Sequence, residues 1–123
     1  MNTENTQKLF NDFPTFFKPE RPVTEALMAF GFECGDGWFD LIYKLCEEIA
    51  ALKPDDFEVF QVKEKFGGLR FYLVSGASDE IHSLITKAEE RSYHICENCG
   101  ADVPNGPSKK GGWISTKCEK CEK

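Results

Sequence analysis

A chain of 123 residues with 41% hydrophobic residues and eleven phenylalanines is long enough for one domain with its own core. A formal charge of -6 and a pI near 5.0 argue against non-specific nucleic-acid binding by the molecule as a whole, which needs a basic field. No apolar run approaches the length of a membrane span, and MNTENTQKLF has neither the basic nor the apolar part of a secretory signal, so the expected setting is a reducing cytoplasm.

The first 22 residues are polar, then aromatic and broken by Pro14, Pro19 and Pro22. They predict a short helix near 3–11, followed by an irregular segment whose Phe10, Phe13, Phe16 and Phe17 lie across the core. Thr24 to Phe30 reads as a short helix capped by Thr24 and ended by Gly31. Asp36 then reads as the N-cap of a longer helix over 37–52. Trp38, Leu41, Ile42, Leu45, Ile49 and Leu52 recur at helical spacing there, and Asp40, Lys44, Glu47 and Glu48 form the wet face. Lys53-Pro54 closes it. The glycines of Gly31-Phe32-Glu33-Cys34-Gly35-Asp36-Gly37-Trp38 offer either a small anion nest or a tight turn that drives Trp38 into the core, and the tight turn is the expectation.

Residues 57–66 and 69–75 predict two strands joined at Gly67-Gly68. A two-residue turn there sets Lys65 opposite Arg70, Glu64 opposite Phe71 and Lys63 opposite Tyr72. Side chains alternate along a strand, so one face gathers Phe60, Val62, Phe66, Leu69, Phe71 and Leu73, and the other Gln61, Lys63, Lys65, Arg70 and Tyr72. Lysine facing arginine across a strand pair is unfavourable unless something answers the charge. The answer is either an acid of this chain, such as Glu89, Glu90 or Asp36, or an external anion. Lys63, Lys65, Arg70 and Tyr72 are therefore the candidate ligand-binding residues. Glu64 falls on the apolar face, where a carboxylate needs a donor, water or a lysine.

Ser78 caps a last helix running to about His94, with Asp79 and Glu80 in its first turn and Ile81, Leu84, Ile85, Ala88, Ser92 and Ile95 along its buried stripe. That helix delivers Cys96 with no linker. Cys96-x2-Cys99 and Cys118-x2-Cys121 stand eighteen residues apart, a spacing that suits a structural zinc site closed by four thiolates with no open position for water. Gly100 suits the turn after the first pair. Trp113-Ile114 begins a short strand before the second pair. Cys34 and Cys46 are left over and read as small buried hydrophobes. The expected architecture is an α+β body over residues 1–93, with a two- or three-stranded antiparallel sheet packed on helices, and a zinc-binding element over 94–123 packed against it. The body carries ten basic and seventeen acidic residues and the tail five and four, so any affinity for anions is local.

GWFDLIYKLCEEI, VKEKFGGLRFYL, and CENCG with WISTKCEKC together resemble a family of small proteins encoded by phages and prophages, over roughly residues 29–121. The resemblance implies a bacterial cytoplasm and an accessory viral role. It carries no activity and no catalytic residue, and only the four cysteines transfer, as metal ligands. The functional expectation is a binding protein that modulates or inhibits a host system, anti-phage defence among the candidates, by sequestering a host protein or a nucleotide signal. Two alternatives are a nucleic-acid-binding zinc module with Lys109, Lys110, Trp113 and Lys117 as its contact strip, and a metal-dependent nuclease using Asp55 or Asp56 with Lys63.

Overall fold

A computed structural model of the protein describes residues 1–122. Among these lie the helices α1 (Thr3–Asp12), α2 (Phe39–Ala51), α3 (Asp79–Ser92) and the one-turn α4 (Glu119–Glu122). The strands are β1 (Phe32–Glu33), β2 (Glu58–Lys65), β3 (Gly68–Ser75), β4 (Ser108–Lys110) and β5 (Trp113–Ser115). The order β1-β2-β3 makes one sheet and β4-β5 a second, so the fold is α+β. The main sheet is mixed rather than antiparallel, because β1 runs parallel to β2, with Phe32 beside Val62 and Glu33 beside Lys63. A two-residue strand has too little pattern to be read from sequence. No helix among the described residues is long and apolar enough to cross a membrane.

α2 and α3 pack against one face of the main sheet. Trp38, Ile42 and Ile49 meet Val62, Leu69, Phe71, Ile81 and Ile85 in one core. The phenylalanine-rich N-terminal segment closes its side: Phe13, Phe16 and Phe17 are buried, and Phe17 meets Phe32 edge-on with centroids 5.0 Å apart. Backbone bonds from Val59 to Phe16 and from Leu27 to Phe60 stitch this segment to β2. Arg21 donates to the buried Glu58 at 2.8 Å.

Residues 24–30 do not form the expected helix. Their regular part is a 3-10 turn over Met28–Phe30, ended by Gly31. Asp36 does not cap its own helix either. Its carboxylate accepts from the Asn2 backbone N–H and the Asn5 amide, and residues 36–38 form a 3-10 turn that hands over to α2. Leu52, expected on the buried stripe, lies past the helix end and is 41% exposed. The cap of α3 is as read: Ser78 Oγ accepts from Ile81 N–H at 3.2 Å. Replacing that hydroxyl (Ser78→Ala) is expected to cost about 1 kcal/mol, read as a shift in the denaturation midpoint.

The β2–β3 turn sits one residue earlier than the paired glycines suggest. Lys65 pairs with Gly68, Glu64 with Leu69, Lys63 with Arg70 and Gln61 with Tyr72, so Phe66-Gly67 is the turn. Both turn residues have positive φ, +53° and +83°, the pattern that two-residue hairpins favour. Phenylalanine is a poor occupant of that region, at a cost of about 1 kcal/mol. Its ring, expected in the core, is 63% exposed. Gly68 has a different cause. A Cβ there would stand 2.4 Å from the Tyr93 ring, which crosses β3 at this point.

α3 also covers the free edge of β3. Leu69 N–H donates to Ser92 Oγ at 2.8 Å and Phe71 N–H to Glu89 Oε2 at 3.0 Å, so two edge donors are satisfied from the helix.

Candidate metal centre and basic sheet face

The two CxxC segments meet at the end of α3. The four Sγ atoms of Cys96, Cys99, Cys118 and Cys121 all lie within 4.8 Å of one another, with Cys99 and Cys118 at 3.6 Å. A tetrahedral ion with sulfur ligands at about 2.3 Å holds its sulfurs roughly 3.8 Å apart, so the cluster fits a single bound metal ion. All six cysteines are free thiols. Among the described residues these four form the one group of three or more side chains of metal-binding type.

Local backbone explains how the sequence builds the cage. Gly100 N–H returns to Cys96 carbonyl at 2.9 Å, closing the first knuckle, and the N–H groups of Cys121 and Glu122 return to Cys118 carbonyl, closing the second. Burial pushes the Cys96 thiol up, but N–H groups of Cys118, Cys99 and Asn98 directed at its sulfur outweigh that and bring it down to about 6. Hydrogen bonds with Cys118 and Cys96 push the Cys121 thiol up to about 12. The N–H groups around Cys96 favour a thiolate there, and a bound cation would supply the countercharge for a four-thiolate cage. His94 stands outside the cage, its Nδ1 3.2 Å from Val103 carbonyl.

The knuckles are docked on the body rather than hung from it. Trp38 Nε1 donates to Ile95 carbonyl at 2.8 Å, Gly37 N–H to Glu97 carbonyl at 2.7 Å, and Gly35 N–H to Glu97 Oε2 at 2.9 Å. The glycine turn of residues 31–38 is therefore a tight turn whose donors are used inside the molecule. Burial raises the Glu97 carboxyl, and the Gly35 bond holds it part of the way back. On the other side Thr116 Oγ1 donates to Gly67 carbonyl at 2.5 Å.

The second constellation lies on the face of the main sheet opposite the helices. The true register moves each cross-strand partner by two places, one full side-chain period, so Gln61, Lys63, Lys65, Arg70 and Tyr72 still share that face. The opposed like charges are Lys63 and Arg70, not Lys65 and Arg70. None of the suggested acids forms an ion pair with them. Glu89 is committed to Phe71 N–H and Asp36 to the N-terminal turn, while the neighbouring Glu33 accepts from Gln61 at 3.0 Å. Among the described residues no carboxylate lies within ion-pair distance of Lys63, Lys65 or Arg70. The Arg70 guanidinium instead receives Tyr93 as a neighbour, donating to its hydroxyl at 3.1 Å. Tyr93 went unread in the sequence. Its signal was Gly68, a glycine inside a strand that marks a close approach.

The remaining candidates disperse. Glu64 accepts from Gly67 N–H at 2.7 Å and so closes the turn rather than meeting a lysine. Cys34 and Cys46 are buried, and burial pushes the Cys34 thiol up to about 12. Asp56 holds a turn, its carbonyl accepting from Ser75 Oγ. Trp113 and Lys110 pair across the tip of the β4–β5 hairpin, whereas Lys117 lines a cleft between the segment 101–108 and the second knuckle. Comparison with protein-family models, with curated proteins and with solved structures finds no match to this chain.

Proposed function

We propose that this is an accessory binding protein, stapled by a structural zinc ion, that acts by occupying a partner through its basic sheet face. The observation that carries the reading is the lack of any ion pair to Lys63, Lys65 and Arg70, among the described residues, in a chain of net charge -6. An acidic molecule that clusters three cations with none of its carboxylates in ion-pair contact leaves them available to an external anion. The all-sulfur donor set favours zinc, and a cage closed on four sides gives the ion a folding role.

The resemblance to phage and prophage proteins gives the setting, a bacterial cytoplasm in which a host component, a defence protein or a nucleotide signal, is held out of action. An open sheet face offers area rather than enclosure, and small ligands prefer concave sites, so a host protein is the favoured partner over a nucleotide. Tyr72, 39% exposed, and Tyr93 flank Arg70 as the aromatic neighbours an interface uses.

Capture from bacterial lysate tests this, with wild type and a Lys63→Ala/Arg70→Ala variant compared by mass spectrometry of proteins and nucleotides. The expected result is one host component retained by wild type and reduced more than tenfold on the variant, at unchanged metal content and melting temperature. Equal capture by both would show that this face is not the contact.

A further inference from the structure

The free edge of β3 is closed along only part of its length. Alternate residues of a strand turn their backbone groups to the same side, so Leu69, Phe71 and Leu73 all face away from β2. α3 serves the first two: Leu69 N–H reaches Ser92 Oγ and Phe71 N–H reaches Glu89 Oε2, from positions three apart on one helical face. The next residues along that face toward the helix start, Thr86 and His82, are exposed and take no bond from the strand. A groove of about 450 Å³ opens there instead, walled by Phe71 to Ser75 on one side and by His82, Ile85 and Thr86 on the other.

Leu73 draws no bond from β2 either. Its cross-strand neighbour Val59 turns away and gives its own N–H to Phe16 carbonyl at 2.9 Å. Among the described residues, the Leu73 N–H and the carbonyls of Phe71 and Leu73 therefore have no partner within the chain. Edge strands are commonly guarded by lysine, by proline or by a covering element. Residues 71–75, FYLVS, carry no charge and no proline, and the helix beside them stands off by the width of the groove. Tyr72 and Val74, on either side of Leu73, are 39% and 45% exposed.

From this we infer that the groove takes an extended segment of another protein, which joins the main sheet as a fourth strand beside β3. The unpaired groups select the occupant. One N–H lies between two carbonyls at the spacing of an extended backbone, and a peptide main chain answers all three, whereas a small anion answers only the N–H. A second copy meeting this edge would bring its own α3 into the same space. The uncharged run FYLVS suits an uncharged segment rich in β-branched or aromatic residues. Its side chain opposite Leu73 enters the groove toward Ile85, and those before and after it lie beside Tyr72 and Val74. The edge adjoins the basic sheet face but works through main-chain groups, so it stands independently of the partner proposed for those cations.

The test pans a phage-displayed library of random peptides of about 12 residues on full-length, metal-loaded protein. The most enriched peptide is then synthesised with a fluorescein label and read by anisotropy. Enrichment of β-branched or aromatic residues at alternate positions is expected. In the free protein the Leu73 amide should exchange with solvent faster than the Phe71 amide, which Glu89 holds, and saturating peptide should slow Leu73 about tenfold. Thr86→Trp fills the groove from an exposed position and should weaken binding about tenfold at unchanged melting temperature. Lys87→Trp, on the side of α3 that faces α2, should bind as wild type. Lys63→Ala/Arg70→Ala should also bind as wild type, so failure of the basic face and failure of this edge are told apart. The inference is overturned if no peptide is enriched over the bare support, or if Thr86→Trp binds the peptide as tightly as wild type. It is equally overturned if Leu73 exchange is unchanged by peptide, if binding is lost with Lys63→Ala/Arg70→Ala, or if sedimentation finds a dimer that Thr86→Trp dissociates.

Discussion

Chelation of the reduced protein is expected to release one zinc ion per chain and to unfold residues 95–122 while the body stays folded. The reason is how little the tail can bury. Beyond Ile95 its buried apolar residues are Cys96 and Val103, and two such residues cannot offset the ordering of nearly thirty. Binding of zinc to four cysteines supplies on the order of 10–16 kcal/mol at neutral pH, enough to fold a segment of this size. The body keeps its own core of Leu9, Phe17, Ile42, Ile49, Val62 and Leu69. Three readouts check this. Elemental analysis gives the stoichiometry. Thiol titration after chelation finds four fast-reacting cysteines, while buried Cys34 and Cys46 stay slow. Trp38 emission moves to the red, because its indole loses the Ile95 carbonyl that now holds it. Acidification acts in the same direction as chelation, since protons compete with the metal for thiolate sulfur. The idea fails if purified, reduced protein contains no thiolate-bound metal and chelator leaves the tail's amide exchange unchanged.

The parts of this fold legible from sequence were those written in local pattern. Ser78 and the stripe Ile81, Ile85, Ala88 and Ser92 marked α3 from cap to end, and the CxxC spacing marked the four residues whose sulfurs converge. The hairpin was half legible. Adjacent glycines were assigned to one turn, but they answer two separate demands: positive φ at Gly67 and room for the Tyr93 ring at Gly68. Because the resulting error was one whole side-chain period, the basic face survived it and only the pairing within it changed. What the sequence could not disclose was long-range. Asp36 has every local mark of a helix cap, yet its carboxylate is used by Asn2 and Asn5, which α1 brings alongside. Glu97 was assigned no role from sequence, yet its carboxylate accepts from the Gly35 N–H, more than sixty positions earlier. Each depends on a neighbour that only the assembled chain provides.

That last contact makes Gly37→Ala the most damaging small substitution expected in this protein. Gly37 sits where the body meets the first metal knuckle. A Cβ there would stand 2.0 Å from Cys96 carbonyl oxygen, 2.6 Å from Gly100 nitrogen and 2.7 Å from Glu97 carbonyl carbon. All three are backbone atoms, so no side chain can rotate away. Cys96 is a ligand and the other two lie in or beside its knuckle, so once the ion is bound the loop cannot open without distorting the cage. The dock must separate instead, and with it go the Gly37–Glu97 and Trp38–Ile95 hydrogen bonds. A methyl group forced into a contact this close costs about 3 kcal/mol or more, which at this chain length lowers the melting temperature by roughly 10–20 °C. Gly111→Ala is the matched control. Its Cβ would meet nothing within 4 Å, and its φ of +56° leaves only the conformational cost of about 1 kcal/mol. Gly37→Ala should also surrender its metal to chelator faster than wild type, whereas Gly111→Ala should not. If the two variants melt together and release metal at the same rate, the metal element does not rest on the body at Gly37, and the coupling between the two halves of the chain lies elsewhere.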